Sequence, residues 1–311
     1  MVHVVVVGTG RLGSAIAYSL AFEYYVDRIT LVDIIPNLAK VIREDIYHGL
    51  SLHGIDLDIY SYENCGKVED ADIIIVTAGS PRKPGMSRRD LVHKNSKILK
   101  SIVGDLVDKN EGAFYIIVTN PVDPLAMYAN KIVGGRGMVI GTGTILESSR
   151  FRYILSRRLG APLHAIEAYV GGEHGEDAVL LWSMTRVQGM HIEKYLAQFG
   201  RSIDKSEIEE YIKSISMEII KTQGATIWGP AATFIQIVRA ISLNTGRILS
   251  IATPKRFEDI PEEVYVSIPT KVGKSIGPDL WDYLSDEEKE GIIKAAHIIY
   301  NIYRNIQANK P

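Results

Sequence analysis

Val4-Val5-Val6-Val7-Gly8-Thr9-Gly10-Arg11-Leu12-Gly13 decides the fold of this chain, and Asp33, twenty positions further on, completes its meaning. Four consecutive β-branched residues suit a strand buried on both faces of a parallel sheet and are poor helix material. The next six spell G-x-G-x-x-G. In that pattern the first glycine permits a tight turn, the second lets a pyrophosphate approach the main chain, and the third lets the following helix pack close to the strand. That helix, Leu12 to Phe22 by its apolar pattern, would aim its N-terminus at phosphate. In a chain with 27 glycines the pattern alone means little; its place between a buried strand and an apolar helix is what points to a dinucleotide. Arg28 to Asp33 predicts a second strand ending in a carboxylate. Asp33 is placed to accept from the adenosine ribose hydroxyls and to repel a 2′-phosphate, which favours NAD over NADP. The plainer alternative is that Asp33 caps a helix beginning near Asn37.

Working outward, residues 1–141 alternate strand and helix. Apolar strand candidates are Val4–Val7, Ile29–Val32, Leu57–Tyr60, Ile73–Thr77, Tyr115–Thr119 and Met138–Gly141. Helices such as Leu12–Phe22 and Leu91–Val107 separate them. In the latter, Leu91, Asn95, Leu99, Ile102 and Leu106 share one face and Lys94, Lys97 and Lys100 lie outward. This is the pattern of an α/β doubly wound parallel sheet of the Rossmann kind. Beyond residue 142 the regularity breaks. A helix over Glu147–Leu159, strand-like stretches at Ile166–Val170 and Val179–Trp182, and helices at Lys205–Thr222 and Pro230–Leu243 predict a second, mixed α+β domain spanning 142–311. A long helix closes it, announced by the capping box Ser285-Asp286-Glu287-Glu288 and by Ile292, Ala296, Ile299, Tyr303 and Ile306 on one face.

Composition bounds the partners. A 311-residue chain suggests about two domains, and 46% hydrophobic with 23% charged is ordinary for a globular protein. The net charge of −2, with dispersed basic residues, offers no broad positive face for nucleic acid or anionic membrane. The longest span without formal charge, Thr222 to Val238, is interrupted by Gly224, Gly229 and Pro230 and is too short to cross a bilayer. No basic segment followed by an apolar one opens the chain, so a cytoplasmic location is expected. Cys65, the single cysteine, has no partner for a disulfide or a zinc site. Small molecules are the expected partners.

Three polar constellations stand where a core would be apolar. Gly79 to Asp90 follows the strand Ile73–Thr77, and C-terminal strand ends are where open α/β sheets bind ligands. Its prolines, glycines and four positive charges describe either a lid that brings arginines to an anionic substrate or a solvated basic loop. Glu147 and Arg150 lie three apart on one helical face, as a site pair or a surface ion pair would. His174 sits in Gly172-Glu173-His174-Gly175 at the end of a strand-like stretch, suited to general acid–base work near neutral pH. No second histidine or cysteine stands at ligand spacing, so no metal is expected.

Together, Gly8-Thr9-Gly10-Arg11-Leu12-Gly13, Val118-Thr119-Asn120-Pro121-Val122-Asp123, Ser148-Ser149-Arg150-Phe151-Arg152 and Gly172-Glu173-His174-Gly175 give a chain that resembles the lactate and malate dehydrogenase family over essentially its whole length. The loop Arg82-Lys83-Pro84-Gly85-Met86-Ser87-Arg88 looks like the malate branch, since lactate enzymes usually carry glutamine where Arg82 stands. The resemblance implies reversible hydride transfer between malate or oxaloacetate and NAD(H). It implies that His174 exchanges the hydroxyl proton, that Arg150 holds the C1 carboxylate in a bidentate fork, that Arg88 polarises the C2 oxygen, and that Arg82 pairs with the distal carboxylate. Asn120 and Thr226 would contact the substrate. Gly8, Gly10, Arg11, Leu12, Gly13, Asp33, Thr77, Ala78, Gly79, Asn95, Val118 and Asn120 would hold the cofactor. A homotetramer or homodimer is implied as well. Two positions depart from the family pattern: Glu147 stands where aspartate normally orients the histidine, and Gly175-Glu176 replaces Gly-Asp. Glu147 is one methylene longer, and a displacement of about 1 Å costs roughly a hundredfold in rate. The competing expectations are a lactate or broader 2-hydroxy acid dehydrogenase and, outside enzymes, an NAD(H)-sensing module.

Overall fold

The computed structural model describes residues 1–81 and 88–308. The first half runs β1 (His3–Val7), α1 (Arg11–Leu20), β2 (Arg28–Val32), α2 (Leu38–Ser51), β3 (Asp58–Tyr62), β4 (Ile73–Val76), α3 (Arg88–Val107), β5 (Phe114–Ile117), α4 (Val122–Val133) and β6 (Met138–Gly141). These six strands pair in parallel in the order β3-β2-β1-β4-β5-β6. The order reverses between β1 and β4, which places the ligand crevice beyond their C-terminal ends. Every residue of β1 is buried, as its valines demand. Leu91, Asn95, Leu99 and Leu106 form the buried face of α3 while Lys94, Lys97 and Lys100 are exposed.

The second half runs α5 (Ile145–Leu159), β7 (Ile166–Glu167), β8 (Val170–Gly172), β9 (Ala178–Leu180), β10 (Arg186–Val187), β11 (Met190–His191), α6 (Ile192–Phe199), α7 (Lys205–Gln223), α8 (Trp228–Ser242), β12 (Arg247–Lys255), β13 (Val264–Val272), β14 (Ile276–Asp279) and α9 (Asp286–Ala308). The parallel sheet does not stop at β6. It continues antiparallel through β12, β13, β8 and β9, with β14 beside β13, into one sheet of eleven strands. A separate three-stranded sheet joins β11, β10 and β7.

Several expectations need correction. The stretch Ile166–Val170 is split, its start joining the small sheet and its end the large one. The longest strands, β12 and β13, were not among the expected elements; each contains a proline, Pro254 or Pro269, which brings no N–H donor to a ladder. The segments nevertheless pair over nine register positions. Helix α4 was hidden by Pro124, which sits in its first turn, where proline is tolerated. The capping box does form: Glu288 Oε2 accepts from the Ser285 N–H at 3.0 Å, and Ser285 Oγ accepts from the Glu288 N–H at 3.3 Å. Beyond it Ile292, Ala296, Ile299 and Tyr303 are fully buried against the sheet. Among the described residues no helix is long and apolar enough to cross a membrane.

The glycine turn is the tightest junction. Gly8 has a φ of +93°, and a Cβ there would lie 2.6 Å from the Ala78 nitrogen. A Cβ on Gly13 would lie 1.8 Å from the Gly8 carbonyl oxygen. Gly13→Ala must therefore push α1 away from β1, and a loss of about 1–3 kcal/mol in urea unfolding is expected, as for overpacking elsewhere in cores. A parent-like midpoint would show that the helix has room to retreat.

Candidate active site

The crevice beyond β1 and β4 is built from main chain. The Thr77 hydroxyl donates to the Gly8 carbonyl at 2.8 Å and the Ala78 N–H to the Val7 carbonyl at 2.9 Å, which holds the glycine turn against the next loop. Gly79 is equally confined, since a Cβ would meet Thr119 Cγ2 at 2.4 Å. Gly10, by contrast, faces open space, and no side chain caps α1, so the N–H groups around Arg11, Leu12 and Gly13 present an uncapped helix N-terminus. That is the donor set a pyrophosphate requires. Asp33 Oδ2 accepts from the Thr9 N–H at 2.7 Å and the Thr9 hydroxyl at 3.1 Å, while Oδ1 accepts from the Ile35 N–H at 3.0 Å. The alternative that Asp33 caps α2 fails: that helix starts after Asn37, in the left-handed region with no side-chain cap. Asn95 is buried and clamps two loops, accepting from the Ser80 N–H at 2.7 Å and donating to the Asn120 carbonyl at 2.7 Å. Val118 continues the β5 pairing through its N–H to the Val76 carbonyl at 3.1 Å. The Asn120-Pro121 peptide is cis. Arg11 reaches across to donate to the Gln223 carbonyl at the end of α7, at 3.2 Å.

A second cluster assembles from α4, α5 and the loop after β8. Ser148 fixes the spacing: its hydroxyl donates to the Thr144 carbonyl at 2.8 Å and accepts from the Val170 N–H at 2.9 Å, so α5 is pinned to β8 just before the histidine loop. Glu147 and Arg150 are buried one turn apart on α5, with Nη1 of Arg150 3.7 Å from Oε1 of Glu147. The same Oε1 lies 3.3 Å from Nδ1 of His174. Neither Nδ1 nor Glu147 Oε2 has a hydrogen-bond partner among the described residues. The extra methylene of Glu147 thus brings carboxylate and ring into charge contact without an aligned N–H···O bond. Asp123, in the first turn of α4, joins the cluster by accepting the main-chain N–H of His174 at 2.9 Å.

The charges follow from this packing. The Glu147 carboxylate, helped by Asp123 and opposed by burial and Arg150, raises His174 to about 9. Burial works to raise Glu147 too, but His174 and Arg150 outweigh it and hold its carboxyl below the usual range. Burial lowers Arg150 from its ordinary value, with Glu147 acting the other way. Burial raises Asp123 to about 7 against the His174 N–H. A cavity of about 1080 Å³ opens beside Arg150. Thr226, Leu146, Tyr211 and Trp228 line it with Arg150, whereas His174 and the glycine turn do not.

Of the residues expected from sequence, His174, Glu147 and Arg150 come together, and the glycine turn, Asp33, Thr77 and Asn120 gather at the C-terminal ends of β1, β2, β4 and β5. Arg82 lies outside the described residues, as does the side chain of Arg88, whose main chain opens α3. Asp123, the last residue of Val118-Thr119-Asn120-Pro121-Val122-Asp123, is a member of the cluster without an expected role. The signal that could have found it is a carboxylate in an otherwise apolar first turn, Val122-Asp123-Pro124-Leu125-Ala126. Among the described residues no group of acidic, histidine or cysteine side chains could hold a metal ion.

Residues 2–141 match the NAD binding domain of lactate/malate dehydrogenase, and residues 144–309 match the α/β C-terminal domain of the same family. Malate dehydrogenase of Sulfurisphaera tokodaii is 39% identical over 304 residues, 98% of this chain and 96% of that one. L-lactate dehydrogenase of Staphylococcus epidermidis is 31% identical, covering 98% and 97%. The crystal structure of Cryptosporidium parvum malate dehydrogenase superposes with a TM-score of 0.90 at 28% identity over 99% of both chains. A Rossmann-like N-terminal domain, a C-terminal α/β domain and an uncapped helix at a glycine turn define an oxidoreductase that works with NAD(H). The chain belongs to the lactate/malate dehydrogenase family.

The raised His174 has a checkable cause. In the free protein its imidazole is expected to titrate near 9, followed by NMR. Glu147→Gln removes the largest raising influence and leaves burial, which acts downward, so the midpoint should fall by at least about one unit. An unmoved midpoint would assign the shift to another group.

Proposed function

We propose that this protein is an NAD-dependent malate dehydrogenase, in which residues 1–141 hold NAD(H) and residues 142–311 supply most of the substrate site. The observation that carries this reading is the half-buried His174 set against the buried Glu147 and Arg150, with a histidine and an arginine sharing one carboxylate oxygen. When bound, NAD(H) takes up or delivers the hydride at C2 of the substrate. With Nδ1 turned to Glu147, the Nε2 of His174 is left to remove the hydroxyl proton of malate, or to return it to oxaloacetate. The imidazolium so formed is stabilised by Glu147, in the manner of an acid–base histidine backed by a buried carboxylate. Arg150 holds the C1 carboxylate with two parallel N–H groups, and its burial strengthens that bond. Thr226 borders the substrate from the cavity side of Arg150. Arg88 polarises the C2 oxygen and Arg82 pairs with the distal carboxylate, both by the match of their loop to the malate branch. The 39% identity to a malate dehydrogenase supports the same choice of substrate. A cytoplasmic homotetramer or homodimer completes the proposal.

Asp33 should set the cofactor. Its carboxylate faces the position of a 2′-phosphate, so kcat/KM with NADPH is expected to fall at least about tenfold below that with NADH. Equal efficiencies would contradict the placement.

Arg82 should set the substrate. Its pair with the distal carboxylate is worth roughly 3 kcal/mol as a charge-assisted bond, and with pyruvate the guanidinium loses that partner. At 1.4 kcal/mol per factor of ten, oxaloacetate is expected over pyruvate by at least about a thousandfold in kcat/KM. Arg82→Gln should collapse that ratio, chiefly by losing oxaloacetate activity, with NADH affinity almost unchanged. A retained ratio would pass the role to Lys83 or Arg89, and a parent enzyme that prefers pyruvate would favour the lactate reading.

A further inference from the structure

We propose that Asp123 is a positioning residue for His174, fastening the main chain of the histidine loop to the start of α4 while Glu147 on α5 faces the ring. The two carboxylates come from different elements and address different atoms of one residue: Asp123 Oδ2 takes the N–H at 2.9 Å, and Glu147 Oε1 lies 3.3 Å from Nδ1. The Glu147 contact is not an aligned hydrogen bond, so the ring is not fixed by direction from that side. The main-chain bond to Asp123 supplies the missing restraint. Helix α4 begins two residues after Asn120, whose carbonyl is held by Asn95. One carboxylate therefore ties the histidine loop to the turn that borders the cofactor crevice.

Folding alone does not call for this residue. Asp123 is 1% exposed among Val122, Pro124, Leu125 and Ala126, all buried, and its Oδ1 has no hydrogen-bond partner among the described residues. A buried carboxylate with an unsatisfied oxygen is costly, and an apolar side chain would pack there at lower cost. The cost is offset by the helix N-terminus, which favours negative charge, and by the imidazolium beside it. Among the described residues the ionisable groups acting on Asp123 are His174 and Glu173 on the loop and Glu147 on α5. Burial raises Asp123 to about 7, so its charge appears in the range where His174 still holds a proton.

This inference rests on His174 being the acid–base group, and the variants Asp123→Asn, Asp123→Ala and His174→Asn are therefore assayed together. Asp123→Asn keeps an oxygen for the N–H but loses the charge; Asp123→Ala loses both. Asp123→Ala is expected to lower kcat at least about tenfold, as a loosened catalytic geometry does, with KM for NADH within about twofold. Asp123→Asn should keep kcat within a few-fold. Its malate oxidation rate, which climbs as His174 gives up its proton, should reach half-maximum at lower pH by about half a unit or more, because a negative charge near the imidazolium is gone. Both variants with parent kcat and parent pH midpoint, whatever their thermal stability, overturn the proposal. If Asp123→Ala does not fold, the pH midpoint of Asp123→Asn decides alone. His174→Asn separates the two levels: an inactive His174→Asn beside parent-like Asp123 variants sinks only the positioning role, whereas an active one removes His174 from the mechanism and this inference with it.

Discussion

The contact between Gly13 and the Gly8 carbonyl is the constraint on which the molecule depends. With a Cβ position only 1.8 Å from that oxygen, no other residue lets α1 leave β1 at this angle. The angle decides what the helix N-terminus faces, and Thr77, just after β4, completes the junction by bonding the same carbonyl. Backbone geometry, not side-chain chemistry, therefore shapes the dinucleotide crevice. Such a site is rigid because it consists of main-chain groups already engaged in the sheet.

The histidine cluster follows the opposite principle. There charged side chains do most of the positioning, with three carboxylates, one guanidinium and one imidazole close together. Each of these groups is costly to bury alone, and together they tolerate burial because opposite charges alternate. The arrangement pushes Asp123 and Glu147 in opposite directions although both are carboxylates in the same pocket. Glu147 is held below its usual range by His174 and Arg150, whereas for Asp123 burial and the neighbouring carboxylates Glu173 and Glu147 outweigh the His174 N–H and imidazole. Environment, rather than residue type, divides their parts.

Local signals carried most of what could be read in advance. The valine strand, the glycine turn and the capping box at Ser285 each depend on residues close in sequence, and each stands where expected. What escaped depends on packing across long separations. The two longest strands, which contain Pro254 and Pro269, escaped because their place in the ladder is set by partners far along the chain. The contact of Glu147 with the imidazole could be named but not located, since it hangs on Ser148 pinning α5 to β8. Asp123 showed in sequence only as a carboxylate among apolar residues, because its partner is a backbone N–H fifty-one positions away.

The pairing of β6 with β12, at Gly141 and Ala252, has a further consequence for how the chain comes into being. Until β12 arrives, β6 is a bare sheet edge whose free N–H and C=O groups can template pairing with another chain. The 110 residues between these positions must be made first, and long-range closure of that kind is slow. A chain cut after residue 141 would therefore leave β6 as an adhesive border. Truncation after β6 should yield a sticky fragment rather than a tidy minimal domain, and during synthesis the C-terminal strands act as the cover for the half that precedes them.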